Sequence, residues 1–166
     1  MTNLDETERA VVRRLDSLLR TRVANANSDR EWTVAVKRTL GALGRERGWE
    51  VCASDPRKRF ESEWLFDLIW YAYNHDSHLQ KIPLILEMEW NLSFDEIKWD
   101  FEKLMTGRAD HRVLIFHAAN SEAFENCCGK LIRGVTAFEY SQRGDRYLFV
   151  GYDMKTDLFD SRAFEL

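Results

Sequence analysis

Nine consecutive residues, Ile82-Pro83-Leu84-Ile85-Leu86-Glu87-Met88-Glu89-Trp90, are the most restrictive segment of this 166-residue chain. Their apolar density reads as a strand buried on both faces, as inside an α/β sheet. A helix follows from about Ser93 to Met105, with Phe94, Ile97, Phe101, Leu104 and Met105 at helical spacing, and Gly107 ends it. The next apolar run, Arg112-Val113-Leu114-Ile115-Phe116-His117, reads as another strand. Strand, helix and strand in that order demand a parallel pair joined by a right-handed crossover.

The same segment carries two carboxylates. Strand side chains alternate faces, so Glu87 and Glu89 at i and i+2 point the same way. A carboxylate buried without a partner protonates, pairs or binds a metal. Asp67 lies in a similar run, Trp64-Leu65-Phe66-Asp67-Leu68-Ile69-Trp70-Tyr71. Three acids on two apolar strands point to a divalent-cation site. The competing reading puts Glu87 and Glu89 on the solvent face of an edge strand, with Leu86, Met88 and Trp90 inward. Asp67 has its own competing reading, as a turn cap or an arginine's partner.

The remaining pattern fills out a mixed α/β sheet flanked by helices. A first helix is expected from about Asp5 to Arg22, on the stripe Val11, Val12, Leu15, Leu18 and Leu19. Asn25-Ala26-Asn27-Ser28 breaks it. Ser28-Asp29-Arg30-Glu31 is a capping box that starts a second helix, running towards Gly44 over Trp32, Val36, Leu40 and Leu43. A short strand, Trp49 to Ala53, ends at the turn signal Asp55-Pro56. The polar loop Asn74-His75-Asp76-Ser77-His78 joins the two acid-bearing strands, which are therefore expected antiparallel. A helix around Ser121 to Arg133, a strand over Arg146 to Tyr152, and a strand or irregular tail complete the chain.

This length suits one domain across residues 1–166. No run approaches the roughly 20 apolar residues of a membrane helix. The acidic N-terminus lacks a secretory signal, and three cysteines without a CxxC pair fit reduced thiols, so a cytoplasmic location is expected. The net charge is −4 but uneven: thirteen Lys/Arg against nine Asp/Glu in residues 1–60, and eleven against nineteen beyond. Either the N-terminal part, with Arg9, Arg13, Arg14, Arg20, Arg22, Lys37, Arg38, Arg45, Arg47, Arg57, Lys58 and Arg59, faces phosphates, or these are solvated helix faces.

Residues 28–118 resemble the core of the PD-(D/E)XK nuclease superfamily, with its restriction-endonuclease-like αβββαβ order. Asp67 followed by Glu87-Met88-Glu89 and the helix after them carry the resemblance. Residues 1–27 are then an N-terminal helical extension and 119–166 a C-terminal helix–strand extension. The resemblance implies Asp67 and Glu87 as ligands of Mg2+ or Mn2+, with the Met88 carbonyl as a candidate third. Glu89, standing where the family usually has lysine, would orient or deprotonate the attacking water, or help hold a second metal. Phe66 stands where the family often has proline. Some members are similar in carrying Glu-x-Glu and remain active, some recruit a lysine from a neighbouring element, and others serve as binding modules without catalysis. Helical spacing makes Lys98, on the shoulder of the apolar stripe, the better lysine candidate, with Lys103 pointing almost opposite, towards solvent.

Other chemistry-bearing residues have plainer readings. Glu31 belongs to its capping box, His75, Asp76 and His78 to a polar loop, and His117 to a strand end. Cys127 and Cys128 read as helix packing, and most of the six tryptophans as core. No Gly-rich phosphate loop, GxSxG elbow or HExxH helix is present. Two functions are thus expected to compete: a Mg2+-dependent nuclease, or an inactive protein of that fold that binds a protein or nucleic acid. Glycosidase-like chemistry is weaker, since nothing suggests a sugar cleft.

Overall fold

A computed structural model describes residues 2–22, 28–54 and 64–166, apart from the Arg22 side chain. The Asn25–Asn27 break, the Asp55-Pro56 turn signal and Arg57, Lys58 and Arg59 lie outside the described residues. The elements are α1 (Glu6–Arg22), α2 (Asp29–Glu46), β1 (Glu50–Cys52), β2 (Leu68–Tyr73), β3 (Leu79–Glu89), α3 (Phe94–Thr106), β4 (His111–Ala118), α4 (Ser121–Ala137), β5 (Arg146–Asp153) and β6 (Leu158–Glu165). All six strands join one sheet in the order β1-β2-β3-β4-β5-β6. Pairing is antiparallel from β1 to β3, parallel through β3, β4 and β5, and antiparallel again at β6. The expected mixed α/β sheet is what forms, and the chain's tail is its sixth strand.

Two consecutive crossovers of one hand place α3 and α4 on the same face. They cover Ile85, Leu114, Phe116 and Phe149, while α1 and α2 cover Leu84, Leu86, Val113 and Val150 on the other. β3 is therefore an interior strand, buried continuously from Pro83 to Met88. This rules out the edge-strand reading of Glu87: the residue is 3% exposed.

Local chemistry explains the helix ends. Ser28 is extended and its side chain accepts from the Glu31 amide, as its capping box requires. Asn120 accepts from the Ala123 amide in the same way at α4. Gly44 lets α2 lie directly on the sheet: a Cβ there would stand 2.6 Å from the Trp70 indole nitrogen. That nitrogen donates instead to the Leu40 carbonyl at 3.1 Å.

The largest departure from the sequence pattern is the start of β2. The ladder with β3 ends at Leu68↔Leu86, so Trp64 to Asp67 lie outside it although their apolar run is unbroken. Leu65 adopts a left-handed φ of 70°, and Trp64 bridges Phe66. Phe66 turns onto the α3 face, where its ring would stand 2.8 Å from a Cβ at Gly107. Among the described residues no helix is long and apolar enough to cross a membrane, and the three cysteines are free thiols.

Candidate functional site

The gap left by β2 is where the acids meet. Beyond Leu86, the β2 side of β3 has no strand partner, and the Asp67 side chain takes that place: its Oδ2 accepts from the Met88 amide at 2.9 Å. In a strand, a residue's N–H and C=O open towards the same neighbour, so the Met88 carbonyl faces this gap as well. Asp67 Oδ1 lies 3.0 Å from Lys37 Nζ, which donates also to Ser54 Oγ at 3.1 Å. Lys37 is 6% exposed on α2, so a charge from one face of the sheet is fixed at the end of β2.

Glu87 projects towards α3. Its Oε2 lies 2.9 Å from Lys103 Nζ, and Lys103 reaches Asp100 Oδ1 at 3.2 Å. The other oxygen, Oε1, is buried and has no hydrogen-bond partner among the described residues. Burial pushes the Glu87 carboxyl up to about 7; the Lys103 hydrogen bond opposes this, while the charges of Asp67 and Asp100 reinforce it. At Lys103 burial favours the neutral amine, but Glu87 and Asp100 outweigh it and hold the ammonium above its usual range.

Asp67 and Glu87 are thus brought together. Glu89 is engaged elsewhere: its Oε1 accepts from the Asn91 amide at 2.6 Å, closing the turn out of β3. Among the described residues, no three His, Cys, Asp or Glu side chains form a group able to hold a metal. The choice of lysine is corrected. Lys98 is half-exposed and paired with Glu102 at 2.7 Å, one turn along α3, whereas Lys103 is the lysine at the acids. Spacing gave the angle between the two lysines but not the side of α3 on which the acids lie.

Lys37, read as a phosphate-facing or solvated cation, is instead buried, and Asp100 was passed over. Lys37 falls beside Val36 and Leu40 on the buried face of α2, a lysine inside an apolar stripe, and that was the available signal. Asp100 had none, being one of several acids on α3. The expected basic surface is partly consumed in fastening the two N-terminal helices, where Arg14 pairs with Glu46 and Arg47 with Glu6 at 3.3 Å, while Arg9 donates to the Leu4 carbonyl just before α1.

The other candidates have structural roles. Asn74 Oδ1 accepts from the Asp76 and His78 amides, and His75 pairs with Asp76 at 3.1 Å in an exposed turn. His117 Nδ1 donates to the Trp90 carbonyl at 2.9 Å, its ring between Trp90 and Tyr152. Cys128 is core, and burial pushes the Cys127 thiol up to about 11, away from nucleophilic chemistry. Comparison of the chain with protein-family models, with curated proteins and with solved structures returns no match.

Proposed function

We propose that Asp67, Glu87 and Lys103 form the active centre of a Mg2+-dependent phosphodiester hydrolase acting on nucleic acid. The observation that carries this reading is Glu87 Oε1, a buried carboxylate oxygen with no described partner, beside the second carboxylate of Asp67. Such an oxygen destabilises a protein unless a proton or a cation takes it. The local charge supports the same reading. Asp67, Glu87 and Asp100 supply three carboxylates, against the two ammonium groups of Lys37 and Lys103.

Oxygen ligands of this kind suit a hard divalent cation, and Asp67, Glu87 and the Met88 carbonyl would hold it. When bound, Mg2+ supplies an activated water and offsets charge developing on the phosphate. Lys37 fixes the Asp67 carboxylate. Lys103, half-buried, keeps its proton beside Glu87 and would present it to a phosphate oxygen, with Asp100 holding the ammonium in place. Glu89, tied to the Asn91 amide, shapes the exit of β3. Phosphate contacts further along a nucleic acid would fall to arginines exposed on α1, such as Arg13 and Arg20.

Thermal unfolding with and without Mn2+ or Mg2+, on wild type and Asp67→Asn, tests this, together with cleavage of plasmid and single-stranded DNA. The expected result is a metal-dependent rise in melting temperature and cleavage, both lost in Asp67→Asn. Absence of cleavage with either metal, or a rise that persists in Asp67→Asn, overturns it. One observation favours a second reading, a binding module without hydrolysis. Lys37 and Lys103 each already offset a carboxylate without any metal. On that reading Asp67→Asn leaves binding to a protein or nucleic acid intact.

A further inference from the structure

The two crossover helices leave a furrow between them, on the opposite shoulder of α3 from Lys103. Two cavities of about 400 and 320 Å3 lie along it, and a third of about 490 Å3 adjoins its end at the C-terminus of α3, between the starts of β3 and β4 and residues 138–145. The first two share Phe94 and Lys130, and the first and third share Met105 and Phe138. The furrow thus follows the whole of α3, whose 13 residues span about 20 Å at 1.5 Å per residue. Phe101 and Leu131 form its apolar floor. On the α4 rim, Lys130, Gly134 and Ala137 are exposed at i, i+4 and i+7.

The charges of the furrow are not balanced. Lys81 pairs with Asp110 at 2.8 Å, Arg112 with Asp145 at 3.0 Å and Lys98 with Glu102 at 2.7 Å. Two cations remain without a carboxylate among the described residues. Lys130 lies over the Phe94 ring at 4.6 Å, and Arg108 meets the Gln142 amide oxygen at 3.5 Å. They flank the apolar middle of the furrow, on a chain whose net charge is −4. Gly134 adds a second anomaly. A Cβ there would meet nothing within 4 Å, so internal packing does not require the glycine, although glycine within a helix is destabilising by about 1 kcal/mol relative to alanine.

We propose that this furrow docks an acidic amphipathic helix of a partner protein. Its apolar face would lie on Phe101 and Leu131, its backbone would approach closely at Gly134, and its carboxylates would meet Lys130 and Arg108. The shape is that of helix-in-groove recognition, in which an amphipathic helix lays its apolar face into a hydrophobic groove. A small ligand is normally enclosed over most of its surface, whereas the α4 rim here is exposed along the channel. Docking leaves the Asp67–Glu87 gap open, so it stands or falls independently of hydrolysis.

The test is NMR titration of the full 15N-labelled chain with a 14-residue helical peptide bearing leucines on one face and glutamates elsewhere. A matched peptide with lysines replacing the glutamates is the control. Saturable shifts confined to residues 94–108 and 130–138 are expected with the acidic peptide alone. Arg108→Glu and Lys130→Glu should each weaken binding about tenfold, the scale of a close interfacial charge pair. Gly134→Trp should block the furrow without lowering the melting temperature; should it fail to fold, the two charge reversals carry the test. No binding, equal binding of both peptides, shifts elsewhere, or undiminished binding in the charge-reversal variants overturns the proposal. So does sedimentation showing a dimer that Lys130→Glu dissolves, which would assign the furrow to a second copy. Stronger binding of dodecanoate than of the peptide overturns it too, in favour of an acyl ligand.

Discussion

Lys103 Nζ stands 2.9 Å from Glu87 Oε2, joining the exposed shoulder of α3 to an interior strand of the sheet. The pair is asymmetric. The lysine is partly in water, while the glutamate is buried and has one oxygen without a partner among the described residues. Burial of the glutamate moves its ionisation towards neutral pH.

The Glu87 carboxyl ionises at about 7 in the fold, against 4.5 for the free group. The native state therefore binds the extra proton, and the stability that proton supplies is full below about pH 4.5 and lost as pH rises to about 7. A rise from 4.5 to about 7 corresponds to about 3 kcal/mol. In metal-free buffer, wild-type stability minus that of Glu87→Gln should fall by about this amount between pH 4.5 and 7.5. Urea unfolding at half-unit intervals measures it, and parallel curves would count against it.

Lys37 offers the complementary case. Removing one partner of a buried pair leaves the other charge uncompensated, typically costing about 3–5 kcal/mol. Lys37→Met should approach the lower end, because Asp67 is 20% exposed and keeps the Met88 amide. The double variant Lys37→Met, Asp67→Asn should recover part of the loss, a coupling read from a double-mutant cycle in urea.

Two helical glycines should respond with opposite signs. Gly44→Ala drives a methyl into the Trp70 indole at 2.6–2.9 Å and should destabilise by about 1–3 kcal/mol, as overpacking does. Gly134→Ala meets nothing and should stabilise by about 0.5–1 kcal/mol through helix propensity. Melting temperatures of the two variants, measured side by side, decide it.

If hydrolysis occurs, the two lysines of α3 separate cleanly. Lys98→Met removes only an exposed pair with Glu102 and should leave cleavage unchanged. Lys103→Met should lower kcat at least about 100-fold, the scale of losing one positioned donor to the transition state. Equal loss in both variants would refute the placement of the site.

The order of the elements was legible because each segment's apolar period agrees with its place in the sheet. The continuous run from Pro83 to Met88 announces an interior strand, and the helix after it forces the parallel pair. The last strand was left open, since Leu158–Glu165 has a broken pattern of burial and gains its structure by pairing with β5. At the site, Asp67 and Glu87 were readable as acids where apolar residues belong. The withdrawal of Trp64 to Asp67 from the ladder was not, because it depends on Phe66 packing over Gly107, 41 residues away. Nor were the lysine partners, which depend on how α2 and α3 lie across the sheet.

Arg146 gathers the chain's beginning into its end: it lies 2.7 Å from Glu8, 2.6 Å from Glu165 and 2.7 Å from the Asn3 carbonyl. Glu8 and Arg146 are 138 residues apart. During synthesis the apolar stripe of α1 can meet α2 early, yet the buried Glu8 has no cation until β5 has left the ribosome. A carboxylate in the first helix to be made is thus among the last groups to find its described partner.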